Sequence, residues 1–277
     1  WAGALLLLPL LFGSRPQPGH GEVWITLLDV GQGLATVVRT AGHTLVYDTG
    51  PAFGPDFDTG RAVVSPYLRY AGIRHIDRLV VSHGDNDHIG GAASLLRDYP
   101  LTDVLTSVPA AFSDRTVQPC RQGMRWTWDE VGFEILHPAP AASRSGNDAS
   151  CVLRVTLADG QRLLLPGDIE AAGERDLIER HGGDLSADVL VVPHHGSRTS
   201  STAAFVSAVN PAVALVPAGY LNRYRFPHPD VVARYTAIGS ELHQTGHTGA
   251  ITLRMVPGAG HPRITRYRRD SPRLWRL

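Results

Sequence analysis

The run Ser82-His83-Gly84-Asp85-Asn86-Asp87-His88-Ile89-Gly90-Gly91 constrains this chain more than any other stretch. It sets two imidazoles and two carboxylates within six positions. It directly follows residues 78–82, whose short apolar core reads as a buried central strand. His83 and Asp85 are two apart in an extended loop, so their side chains project to one side. Asp87 and His88 fall at the first turn of the helix predicted next. Helix capping accounts for one aspartate. It does not account for four ligand-type residues on one loop. Such a loop can serve two adjacent cations, and a pair roughly 3.5–4 Å apart is a recurring solution for hydrolysing phosphate esters.

Other apolar strands end in the same way. Asp48 follows residues 44–47, Asp168 follows Leu163-Leu164-Leu165-Pro166-Gly167, and His194 and His195 follow Val191-Val192-Pro193. Singly, each reads equally as a turn former or a structural histidine. Together they deliver ligand chemistry to several strand tips.

Composition sets the limits. With 43% apolar and 19% charged residues, the 277-residue chain can bury a core and is neither disordered nor collagen-like. A formal net charge of zero excludes gripping nucleic acid by bulk charge, though not by a local patch. All 26 lysine-or-arginine positions are arginine, so any phosphate clamp is built from arginine, metal or backbone N–H. Two cysteines, Cys120 and Cys151, are too few for a disulfide framework and form no CxxC pair. They fit either one bridge or a core cysteine and a surface thiol.

An apolar run at residues 4–12 precedes a Pro/Gly-containing linker at residues 13–21. The run is too short to span a bilayer, and we read it as the end of a membrane helix that starts upstream. Residues 22–277 show no composition break and read as one domain. Periodicity predicts strands at 23–30, 34–39, 44–47, 78–82, 103–108, 133–136, 151–157, 162–165, 187–192, 213–216, 241–244, 250–255 and 263–267. Helices are expected at 61–70, 90–99, 170–180, 202–209 and 230–238. Hairpins followed by alternating strands and helices, in two similar halves, predict an α/β fold, a four-layer αββα sandwich.

These motifs resemble the metallo-β-lactamase superfamily. Within it, the match is closest to the C-terminal domain of the ComEC competence family of DNA-uptake channels. The resemblance rests on residues 28–33 (LDVGQG), 82–91, 164–168 (LLPGD), 193–197 (PHHGS) and 145–150 (SGNDAS). It implies a metallo-β-lactamase-type sandwich with two divalent cations. His83, Asp85 and Asp168 would hold one, and Asp87, His88, Asp168 and His195 the other, with Asp168 bridging. Asp48 would orient His83 or His88. Asp87, His194 and His228 would act in catalysis, and Asn147, Ser150 and Ser197 would hold substrate. Asp85 stands where many members have histidine, so the site is rich in oxygen, which favours Mn²⁺ with Zn²⁺ as the alternative. Near His228 the family's Gly and first His are replaced by Arg225 and Phe226.

The activity implied is a metal-dependent phosphodiesterase, a nuclease that degrades the non-transported DNA strand during natural transformation. A small-ester or lactone hydrolase and a non-catalytic DNA guide are the alternatives. The implied partners are DNA, the upstream membrane channel region of the same protein and other competence proteins. The implied location is the bacterial cytoplasmic membrane, with this domain on its extracytoplasmic side. A tail bearing Arg263, Arg266, Arg268, Arg269, Arg273 and Arg276 against the single acid Asp270 is expected to add a polyanion contact, with Tyr267 or Trp275 stacking on a base.

Overall fold

A computed structural model describes residues 15–139 and 145–271. The apolar run at 4–12 and the tail residues Arg273, Trp275 and Arg276 lie outside the described residues. The first half of the chain contributes β1 (Val23–Leu27), β2 (Thr36–Arg39), β3 (Thr44–Tyr47), a small hairpin of β4 (Ala52–Gly54) and β5 (Phe57–Asp58), β6 (Ile76–Val81), β7 (Leu101–Thr106) and β8 (Gln118–Pro119). The second half contributes β9 (Arg125–Trp128), β10 (Val131–His137), β11 (Val152–Thr156), β12 (Arg162–Leu165), β13 (Val189–Val191), β14 (Val213–Val216) and β15 (Glu241–Gln244), before β16 (Ile251–Met255) and β17 (Arg263–Arg266).

One sheet runs β17-β16-β1-β2-β3-β6-β7-β8 and the other β15-β14-β13-β12-β11-β10-β9. Each half passes from antiparallel hairpins to parallel strands, at β3–β6–β7 in one and β12–β13–β14 in the other. The sheets pack face to face. Ile25, Leu45 and Tyr47 of the first sheet meet Phe133, Leu153 and Leu163 of the second in a shared core. Burying each such side chain contributes about 1.5–3 kcal/mol. Tyr47 also crosses between the sheets, its hydroxyl donating to the carbonyls of Cys151 (2.7 Å) and Leu165 (3.1 Å).

Helices cover both outer faces. On the first sheet lie α1 (Ser65–Ala71) and, beyond the short α2 (Asn86–Ile89), α3 (Ala92–Asp98). Their Leu68 and Leu95 pack with Val46 and Leu79. On the second lie α4 (Ala171–His181), α5 (Ala203–Val209) and α6 (Pro229–Ala237), whose Leu177, Phe205 and Tyr235 pack with Leu164 and Leu190. Local chemistry sets the ends. Thr202 caps α5 by accepting the Phe205 N–H, and Gly72 ends α1 in the left-handed conformation. The result is the expected αββα sandwich.

Some boundaries differ. The strand expected at 103–108 starts and ends two residues earlier, at Leu101–Thr106. Strand β9 was not anticipated. It lies at a sheet edge and is half exposed, but its alternation lays the partly buried Trp126 flat on Phe133, centroids 5.2 Å apart. The cysteines form a Cys120–Cys151 disulfide. Cys120 donates its N–H to Thr106 of the first sheet, and Cys151 leads into β11 of the second, so the bridge ties the sheets together.

Candidate metal centre

The C-terminal ends of the parallel strands converge, the place where open α/β sheets bind ligands. Asp48 leaves β3, Ser82 and His83 leave β6, Asp168 follows β12, and His194 and His195 follow β13. Asp87, His88, Asp168 and His195 each offer one ligand atom, and the four atoms lie within 4.8 Å of one another. His88 Nε2 stands 3.1 Å from Asp168 Oδ2 and 3.3 Å from His195 Nε2. His195 Nε2 lies 3.3 Å from Asp168 Oδ2 and 3.1 Å from Asp87 Oδ2. Ligands placed about 2.0–2.1 Å from a common tetrahedral centre are themselves about 3.3 Å apart, so this spacing suits a first-row cation.

The rings are aimed from behind. His88 Nδ1 donates to Asp48 Oδ2 (2.7 Å), and His195 Nδ1 donates to the carbonyl of Pro217 (2.9 Å). Ser82 Oγ donates to Asp48 Oδ2 (2.7 Å) and accepts from His83 Nδ1 (3.0 Å). Each Nδ1 is thus engaged, which turns each Nε2 toward the cleft, the arrangement metal-bound histidines need. His83 Nε2 is buried and has no hydrogen-bond partner. An unpartnered buried nitrogen is costly, and a cation beside Asp85, whose Oδ2 is 3.6 Å away, would satisfy it.

Charge leads to the same conclusion. Burial would raise the Asp168 carboxyl, but His195 and His88 outweigh it and hold it well below the usual range. Burial would lower His195 and His88. Asp168, with Asp48 at His88 and Asp87 at His195, instead raises His195 to about 9 and His88 well above its ordinary value. His83 goes the other way, lowered first by burial and then by neighbouring His88. Two buried carboxylates therefore demand positive charge here, which a divalent cation would supply with the rings neutral. The donor set fits such an ion.

Residues 28–220 match the family model described as the metallo-beta-lactamase superfamily. The chain belongs to that superfamily. It is 38% identical over 256 residues to Competence protein ComA of Neisseria gonorrhoeae, covering 92% of this chain and 36% of that one. It is 36% identical over 246 residues to Recombination protein 2 of Haemophilus influenzae, covering 88% and 30%. The chain therefore spans about a third of the length of the curated relatives it matches. Igni18, a metallo hydrolase from Ignicoccus hospitalis, shares the fold with a TM-score of 0.56 at 15% identity, over 83% of this chain and 98% of that one. Competence-protein relatives and the superfamily model bear out the resemblance drawn from the motifs.

The superfamily frame accounts for the motif glycines. A Cβ at Gly33 would lie 2.6 Å from the Asp87 carbonyl oxygen, and one at Gly91 would lie 2.4 Å from the Gly60 nitrogen. Both loops pack too closely for any side chain. Asp48, His194 and His195 adopt positive φ (56°, 49° and 55°), backbone strain of the kind that collects at functional sites.

Other expected residues fall differently. Asp85 sits at the N-cap position of α2 without a capping side-chain bond and is 61% exposed, facing His83 outside the four-residue cluster. His194 stands at the rim, Nε2 3.9 Å from Asp168 Oδ2, with Nδ1 3.2 Å from both Glu170 Oε1 and Thr199 Oγ1. Asn147 reaches Glu170 at 3.3 Å. Ser150 requires correction as a substrate contact. It is fully buried, donating to the Asn147 carbonyl and accepting the Asp168 N–H, so it positions Asp168. Ser197 is also buried, its hydroxyl held by Thr199. His228 is not brought into the cluster. Its Nε2 accepts from Arg198 at 2.5 Å, and its Nδ1 faces the first turn of α6, 3.2 Å from the Asp230 nitrogen. In the tail, Arg266 pairs with Asp270, and Arg268 pairs with Asp29 (2.6 Å) and bonds the Gly246 carbonyl. Of the six expected phosphate contacts, Arg268 thus anchors the tail to the domain and Arg266 is engaged within the tail. Ser82, Glu170 and Thr199 were missed as positioning residues. Ser82 was visible within the loop motif and Glu170 two places after Asp168.

Proposed function

We propose that this protein is a metal-dependent phosphodiesterase that cleaves DNA, working as one domain of a DNA-uptake protein. The closed set Asp87, His88, Asp168 and His195 carries the reading. Asp168 would also serve a second cation held by His83 and Asp85. A divalent cation held there would supply Lewis acidity, lowering the pKa of water and neutralising charge on phosphoryl oxygens. Asp85 in place of a histidine gives three carboxylates to three imidazoles, a larger oxygen share than a histidine there would leave, which favours Mn²⁺ over Zn²⁺.

The chain's own contribution is orientation. Asp48 and Ser82 lock the His83 and His88 rings, Pro217 locks His195, and Ser150 fixes the backbone beside Asp168. His194, held by Glu170 at Nδ1, presents Nε2 at the rim and is the group placed to give a proton to the leaving oxygen. The competence relatives support DNA as substrate. In the full-length protein the domain would digest the strand that is not transported, beside the membrane channel region and other competence proteins. Among the described residues no helix is long and apolar enough to cross a membrane. The disulfide, a bond that persists in oxidising compartments, supports an extracytoplasmic position.

The test is cleavage of end-labelled DNA by chelator-stripped protein given Mn²⁺, Zn²⁺ or Mg²⁺ separately. We expect cutting with Mn²⁺ above the others, and DNA binding without cutting for Asp168→Asn. Turnover of small esters or lactones with no DNA cut would overturn the nuclease assignment. DNA binding without cleavage under every metal would make the domain a guide.

A further inference from the structure

Beside the metal centre stands the loop at residues 219–228, which the ligand set does not use. It abuts the site directly. The Phe226 ring meets His194 edge-on at 6.1 Å, and a Cβ at Gly196 would lie 2.6 Å from Pro227 Cβ. Tyr224 lies flat on Phe226, centroids 5.4 Å apart, and the Arg223 guanidinium sits 4.7 Å over Tyr224. Asn222 holds the loop in shape. Its amide donates to the carbonyls of Gly219 (3.0 Å) and Phe226 (2.7 Å), and its oxygen accepts the Phe226 N–H (2.9 Å). On this rigid frame Tyr220 is 66% and Tyr224 50% exposed. A cavity of about 560 Å³ opens between the loop and Gln244 and His247.

Large exposed aromatics on a fixed loop mark a binding surface. The charge says for what. Residues 217–229 contain Arg223 and Arg225 and no acid. The β4–β5 hairpin also exposes two aromatics, Phe53 and Phe57, but it carries Asp56 and Asp58, which repel a polyanion. Aromatic faces alternating with guanidinium groups suit unstacked bases joined by phosphates.

We propose that the 219–228 loop is a stacking platform for a single-stranded nucleic acid, holding the nucleotides next to the scissile phosphate, with bases on Tyr220 and Tyr224 and phosphates on Arg223 and Arg225. This rests on the nucleic-acid reading of the metal centre and adds which strand form it takes and where that strand lies. Paired bases cannot offer their faces, so the platform selects single strands.

The test measures binding of an oligodeoxythymidylate carrying one 2-aminopurine to the whole chain in excess chelator, so that no cleavage intervenes. Tyr224→Ala and Tyr220→Ala are each expected to weaken binding about tenfold and to relieve the 2-aminopurine quenching that stacking produces. The paired Arg223→Ala, Arg225→Ala variant should lower the salt-dependence slope by about 1.4, at roughly 0.7 per phosphate. Tyr70→Ala, an exposed aromatic on α1, should bind as wild type does. Unchanged affinity and quenching in both tyrosine variants, or preference for duplex, would overturn the platform while leaving the nuclease assignment standing. A wild-type chain that neither binds nor cuts DNA would overturn both.

Discussion

The two groups of ligand-type side chains differ in how far the fold alone assembles them. Asp87, His88, Asp168 and His195 already hold cation-like spacing, with two rings fully buried and each anchored at Nδ1. His83 is equally buried and anchored, but its oxygen partner Asp85 is exposed, 3.6 Å away, just before a four-residue helix. One position is therefore preorganised and the other half-built. Preorganisation reduces the ordering that binding must oppose, so the two positions should differ in affinity.

Asp168→Asn should weaken the comparison most, because both proposed positions would share this carboxylate. Removing one partner of a buried charged set costs about 3–5 kcal/mol, so Mn²⁺ affinity by calorimetry should fall by about 10²–10⁴-fold at both positions. Cys120→Ala with Cys151→Ala tests the common frame. The bridge closes a 31-residue separation, and its loss should cost about 3–4 kcal/mol in chemical denaturation. Both affinities should then drop together, since Cys151 donates its N–H to the Ser82 carbonyl beside His83. Asp48→Ala removes the anchor of His88 and should cost about 10–100-fold in the tighter affinity. Asp85→Ala should weaken only the looser cation, by about tenfold, leaving one tight equivalent per chain. Equal affinities at both positions in wild-type protein would remove the distinction.

A pH measurement supplies the control. Glu174 on α4 touches neither ligand group. Burial pushes its carboxyl up to about 7 from 4.5, against the N–H groups of Ser201 and Thr202 that bond it. The folded chain thus keeps a proton that the unfolded chain releases. The stabilisation is complete below about pH 4.5 and is lost as pH rises through 7. Wild type minus Glu174→Gln in urea unfolding should show a slope approaching 1.36 kcal/mol per pH unit in that window, with the ratio of the two cation affinities unchanged.

The sandwich and the centre of the site were legible because their signals are local. Ligand residues crowd one loop, and apolar runs of strand length precede each tip. What escaped depends on contacts distant in sequence. Ser150 and Ser197 looked like phosphate contacts because hydroxyls near a metal loop invite it, and only packing shows their oxygens facing inward. His228 has the right chemistry, but the Arg198 guanidinium engages its ring. Arg268 looked free for phosphate because its partner Asp29 lies 239 positions away. Strand β9 hid because its tryptophans pack on Phe133 and Arg78, which composition cannot pair.

The Tyr47 hydroxyl and the Cys120–Cys151 bridge both fasten the two sheets close beneath the cleft. A hinge that opened like a book would have to break both. A strand of the proposed substrate would therefore have to enter sideways across the surface loops, because the floor beneath the cleft is fixed.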